Sequence, residues 1–146
     1  MLHTEDPLYT YVHNPGGFIV PVEGRVLDIR PTQDYPENFA VTLELIIPDE
    51  DGFWPTKIHG TYTPGKTLTE GGCEYISIRE TVKRYCRTNC YVFTDRIYNL
   101  QLCLHHSAAF ASNARHACKK ILTELRSLGQ KPPENVVEMM GRVGLK

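Results

Sequence analysis

The stretch EYISIRETVKRYCRTNCYVFTDRIYNLQ, residues 74–101, decides how the chain is read. Tyr, Ile, Val, Phe and Thr crowd both of its arms, and these side chains suit a pleated, half-buried surface. A polar interval at 86–89 separates the arms, so the pattern predicts two strands, 74–85 and 91–100, folded into a hairpin. Five basic residues (Arg79, Lys83, Arg84, Arg87, Arg96) stand there against three acids, Glu74, Glu80 and Asp95. A basic hairpin carrying tyrosines can close a fold or hold a nucleic acid strand.

Upstream, Ile58, Gly60 and Tyr62 alternate with Lys57, His59 and Thr61, which predicts a strand over 56–63 ended by Pro64-Gly65. Phe39, Val41, Leu43, Leu45 and Ile47 fill every second position, the clearest strand of the chain, closed by the acidic turn 48–52. Residues 17–30 alternate through Phe18, Val20 and Val22, break at Gly24 and resume at Val26 and Ile29. That is a long strand bent at a glycine, as at a barrel corner. Residues 1–16 carry Asp6-Pro7 and Asn14-Pro15-Gly16, turn chemistry that assigns them to an N-terminal arm. Residues 66–72 are too short and glycine-rich for more than one helical turn.

Downstream the period changes from two to 3.6. Ser107 is the expected N-cap of a helix over 108–128, stopped by Gly129 with Pro132 and Pro133 beyond. Phe110, Ala114, Ala117, Cys118, Ile121, Leu125 and Leu128 form its apolar stripe, and Arg115, His116, Lys119 and Arg126 take the other side. The small residues on the stripe let another helix approach closely. A short amphipathic tail at 132–146 follows, with Val136, Val137, Met139 and Met140. The expected division is an arm (1–16), a barrel (17–104), an interaction helix (107–128) and the tail. The class is mainly β, five strands with a long C-terminal helix.

Composition narrows the function. A chain of 146 residues with 41% apolar and 23% charged content reads as one soluble globular domain. No run approaches the roughly 18 apolar residues of a membrane span, so no membrane partner is expected. The start MLHTEDPLYT has no apolar run of a secretory signal, which points to an intracellular location. Five cysteines, an odd count, are then read as free thiols. Cys86-x3-Cys90, with Cys73, Cys103, His105 and His106 nearby, lacks paired knuckle spacing, and no metal is expected. Residues 1–54 hold ten acids against two basics and residues 55–146 fourteen basics against seven acids, which predicts a polarised surface.

Nothing in the chain points to catalysis. Gly60 to Thr67 formally fits G-x-x-x-x-G-K-[ST], but no helix pattern follows it, so it is read as a chance match. No nucleophile elbow is present. A non-enzymatic protein without a cofactor is expected.

The order of elements, three strands, a short connection, two strands and a helix, resembles the OB-fold. Gly24-Arg25-Val26-Leu27-Asp28-Ile29 is similar to the bent first strand of OB-folds of the replication protein A type, while 74–83 and 91–100 take the places of strands four and five. The resemblance covers about residues 17–128 and departs at the short 66–72 segment and at the acidic 49–51 turn. It implies a five-stranded Greek-key barrel whose C-terminal helix heterodimerises with a second OB-fold protein, as in the middle subunits of replication protein A and the CST telomere complex. It further implies a non-catalytic subunit of a complex handling single-stranded or telomeric DNA in genome maintenance, in the nucleus or otherwise the cytoplasm. The alternative is a protein-interaction module with no nucleic-acid role.

Single strands are held by cations at the phosphates and by rings that stack on bases. On an OB barrel the resemblance places that contact on strands two and three and the flanking loops. The DNA-binding candidates are therefore Lys57, His59 and Tyr62 on the third strand, Tyr35 in the first loop, and Lys83, Arg84, Tyr85 and Arg87 around the hairpin turn. Tyr62 and Tyr85 equally suit the closing of the barrel. Phe53 and Trp54, beside the acidic turn, are read as a plug over the barrel end in preference to a stacking platform.

Overall fold

Alternation builds the sheet. In the strand Phe39–Asp49 (β3), Val41, Leu43, Leu45 and Ile47 are buried, while Ala40, Thr42, Glu44 and Ile46 face away. The computed structural model describes residues 1–34, 36–79 and 87–144. β3 pairs antiparallel with Ile19–Pro31 (β2) on one side and with Gly52–Thr67 (β4) on the other. β4 pairs with Glu74–Ile78 (β5), and β5 with Tyr91–Phe93 (β7).

Residues 1–16, expected as an arm, contain a strand. Pro7–His13 (β1) pairs with β2 along its whole length and with β7 at Tyr9↔Phe93. The result is a closed antiparallel barrel of six strands, mainly β with a long C-terminal helix as expected. Its neighbours follow chain order, β1-β2-β3-β4-β5-β7 and back to β1, a meander in place of the five-strand Greek-key route. A two-residue strand, Arg87–Thr88 (β6), extends the edge of β1 at Val12 and His13. The interior is filled from all six barrel strands, including Leu8, Val26, Leu43, Ile58, Ile76 and Val92.

The irregularity of β2 lies past its glycine, at Leu27. Gly24 faces Leu8 on β1 and Leu45 on β3, and its register with β3 shifts between Val26 and Asp28. A Cβ on Gly24 would lie 2.0 Å from the Glu44 carbonyl oxygen and 2.8 Å from Leu45 Cδ2. Neither backbone can retreat, because each is paired on its other side.

The predicted strand 91–100 ends early. After Phe93 the chain turns into the helix Arg96–Ser127 (α1), eleven residues ahead of the expected Ser107 cap. The cap is Asp95, whose Oδ1 accepts the backbone N–H of Ile97 (2.8 Å) and of Tyr98 (3.3 Å). The far end stops where expected. Gly129 takes φ +71°, Gln130 N–H reaches Leu125 O at 2.9 Å and Gly129 N–H reaches Arg126 O at 3.0 Å, a Schellman arrangement. The predicted tail forms a second helix, Glu134–Arg142 (α2).

The chain divides into two compact units, Met1–Cys103 and Leu104–Lys146. In the first, the opening turns of α1 cover part of the sheet: Asn99 Nδ2 donates to Thr10 O at 3.0 Å, and Tyr98 meets Phe93 edge-on at 5.1 Å. In the second, burial is confined to Ala114, Cys118, Leu122 and Leu125 on α1 and to Pro132, Val137 and Met140 around α2. No described helix is long and apolar enough to cross a membrane.

Gly24→Ala tests the close approach of β2 and β3. Forcing a methyl group into packed backbone costs about 1–3 kcal/mol. The variant should lower the unfolding free energy by that amount, read as a lower urea midpoint at an unchanged slope of the transition.

Candidate nucleic-acid interface

The closed barrel sorts β4 by parity. Ile58, Gly60 and Tyr62 turn inward, and Lys57, His59, Thr61 and Thr63 turn outward. Thr61 pairs with Ser77 on β5, and Ser77 in turn with Tyr91 on β7, so the outward residues of three strands lie in register. Between β5 and β7, Tyr75 and Tyr91 meet edge to face with ring centroids 5.1 Å apart. Asn38, Thr61, Thr63, Lys66, Tyr75, Ser77 and Arg79 line an open groove of about 210 Å³. Thr63 Oγ1 donates to Asn38 Oδ1 at 2.7 Å, which fixes one wall.

The acids neighbouring the face are held in contacts of their own, and Glu74 keeps its charge in them. Arg25 holds Glu44 at 3.4 Å and Glu5 at 2.6 Å. Glu74 accepts the Tyr62 hydroxyl at 2.5 Å and the Gly65 backbone N–H at 2.8 Å through one oxygen, Oε2. Lys57, His59, Lys66 and Arg79 make no ion pair among the described residues. His59 Nδ1 lies 3.3 Å from Thr42 Oγ1 across the β3–β4 ladder.

Of the sequence candidates, the structure brings Lys57 and His59 together on the outer face of β4. Tyr62 is separated from them. Only 1% exposed and packed in the core cluster, it cannot offer its ring to a base and serves the barrel. Arg87 is exposed on β6, opposite His13. Tyr35, Lys83, Arg84 and Tyr85 lie outside the described residues. Reasoning from sequence missed Tyr75, Tyr91, Lys66 and Arg79. A parity count from Tyr62 would have placed Tyr75 and Tyr91 outside, had their strands been recognised as neighbours in one sheet.

The hairpin tip at β3–β4 has another character. Phe53 (67% exposed) and Trp54 (52%) stand beside the acidic turn, and Trp54 Nε1–H donates to Asp49 Oδ1 at 3.0 Å. Trp54 is thus tied to the hairpin it stands on and half open to solvent, outside the core cluster.

On α1 the expected partner stripe is variably open. Phe110, Ile121 and Leu128 are 47%, 57% and 74% exposed, Ala117 is exposed, and Ala114, Cys118 and Leu125 are half-buried. The thiols of Cys73, Cys90, Cys103 and Cys118 are free, and burial pushes the Cys103 thiol up, which keeps it protonated near neutrality. No three His, Cys, Asp or Glu side chains converge on a metal-sized site among the described residues. The segment 60–67 continues β4 as a strand and makes no phosphate-cradling loop.

No family model matches the chain, and no curated protein or solved structure matches it either.

The Tyr62–Glu74 bond gives a pH signature. Tyr62 donation and the Gly65 N–H hold the Glu74 carboxyl below its ordinary 4.5, so the bond stabilises fully above that value and is lost as the pH falls through the lowered folded value. Burial and Glu74 push the Tyr62 phenol from 10.0 up to about 12, so stability is also lost as the pH rises across that interval. Tyr62→Phe should cost about 1.5–3 kcal/mol at pH 7. Denaturation at stepped pH should show the gap between variant and parent closing at both ends.

Proposed function

We propose that the chain is a non-catalytic binding subunit that holds single-stranded DNA against the β4–β5–β7 face of its barrel and joins a second barrel-bearing chain through α1. One observation carries the reading: Lys66 and Arg79, which make no ion pair among the described residues, line one groove with Tyr75, whose ring packs on Tyr91. Cations track phosphates and a ring edge or face receives an unpaired base, so the pairing of the two favours a single strand over a duplex. The likeness of Gly24-Arg25-Val26-Leu27-Asp28-Ile29 to the first strand of replication protein A-type barrels supports a place in genome maintenance, telomere ends included. With a formal charge of −1 the whole chain gains little from bulk attraction, so the local face must supply the contact.

A protein-only role draws on a different feature, the exposed Phe53 and Trp54 on their acidic hairpin. One titration separates the two. Fluorescence anisotropy with a labelled oligothymidylate should show affinity falling with salt. Replacing Lys57, Lys66 and Arg79 with Ala should flatten the log–log slope by about 0.7 for each phosphate contact removed. Tyr75→Ala should cost about 1–3 kcal/mol of binding. Lys57, Lys66 and Arg79 are exposed, so the melting temperature of the triple variant should hold. Absence of salt-dependent binding by the parent chain sinks the DNA reading and leaves the protein-only one.

A further inference from the structure

The early start of α1 reveals a repeat that a helix from Ser107 would have cut in half. From Ile97 to Leu128, small or apolar side chains recur at alternating intervals of three and four residues, the a and d positions of a heptad. Ser107 is the one polar member. Ile97, Leu104 and Leu128 are 67%, 72% and 74% exposed, and Ala114, Cys118 and Leu125 keep part of their surface open.

The sizes along this seam form a palindrome about the Ser112–Asn113 peptide bond. Large residues occupy both ends and small ones the middle. In an antiparallel pair, a positions of one helix share layers with d positions of the other. The outer layers then match Ile97 with Leu128, Leu100 with Leu125, and Leu104 with Ile121. The inner layers match Ser107 with Cys118 and Ala111 with Ala114. Every layer is large on large or small on small.

We propose that α1 pairs antiparallel with α1 of a second copy of this chain, on a two-fold axis through that midpoint. A seam that matches itself on reversal is what an isologous contact requires. A parallel pair sets identical residues opposite each other whatever their order, so it does not account for the palindrome. An unrelated partner does not account for it either. The small central layers let the axes close toward the short end of the 8–10 Å range, and the large outer ones fill the flaring ends. Charge is kept off the seam: His105, His106, His116, Lys119, Lys120 and Arg126 all fall at b, c or f positions. At 1.5 Å per residue the seam runs about 46 Å. Antiparallel alignment also opposes the two helix dipoles.

This inference rests on α1 as the pairing surface and is independent of the nucleic-acid reading. Sedimentation of the full chain without oligonucleotide should show a monomer–dimer equilibrium. Leu104→Glu, at an exposed position, would bury a charge in an apolar layer and should raise the dimer dissociation constant about tenfold or more with unchanged helical content. Ser107→Cys, oxidised and mapped by mass spectrometry, should link residue 107 to Cys118 of the second copy. A monomer throughout the micromolar range overturns the proposal. So does a crosslink map dominated by 107–107 and 118–118, which marks a parallel pair.

Discussion

β1 is paired on both of its edges, and the rest of the barrel depends on that. β2 takes one edge from Pro7 to His13, and β7 meets the other at Tyr9, with β6 extending the contact. Without it, β2 and β7 would each present an unpaired edge, and the sheet would curl without a defined interior. With it, parity acquires an absolute meaning. Leu8 and Val12 enter the core, and Thr10 joins them because its hydroxyl donates to Tyr91 O at 2.6 Å. Gly24 lies where β3 comes so close that the Glu44 carbonyl leaves no room for a Cβ.

Closure also distributes the tyrosines and the acids. Tyr62 faces inward and binds Glu74, whereas Tyr75 and Tyr91 face outward and pack on each other. The inward choice removes a ring from the candidate interface and keeps the Glu74 carboxylate ionised in its hydrogen bonds, so its charge stays beside the groove. Arg25 offsets Glu44 on the adjacent strand. Which charges face the groove follows from how the strands pair. It did not follow from counting Lys and Arg. The acids at the β3–β4 tip are likewise occupied in part, since Asp49 Oδ1 receives both the Trp54 indole and the Asp51 backbone N–H.

What could be read from sequence depended on how local the deciding force was. β3 was legible because one face is buried along its length, so alternation had no competitor. The stop at Gly129 was legible because a left-handed cap needs only its own neighbours. β1 was hidden: seven residues opening on a proline and carrying two outward tyrosines show little alternation, and their pairing partners are distant in the chain. Residues 94–100 misled in the opposite direction. Ile97, Tyr98 and Leu100 suit a strand, but Asp95 caps two backbone N–H groups and turns the chain into a helix. Tyr62 was ambiguous in principle, since a buried phenol requires an acceptor and Glu74 becomes one only when β4 and β5 pair.

α1 poses a different physical question, because beyond Cys103 its deepest residues, Ala114, Cys118, Leu122 and Leu125, are only half-buried. Tertiary packing stabilises most protein helices, yet here the greater length must rely on local terms. Those terms are strong. Asp95 closes one end and the Gly129 turn the other, Arg126 faces the negative pole, and Ala108, Ala109, Ala111, Ala114 and Ala117 carry high propensity through the middle. A helix ordered by its own sequence loses little further backbone entropy when it meets a partner, so apolar contact along it converts more fully into affinity. Fully covering a single exposed Leu is worth about 1.5–3 kcal/mol, and Leu100, Leu104, Ile121 and Leu128 are all open. Local capping thus accounts for how the helix stands exposed, and the exposed side chains account for why it would not remain so.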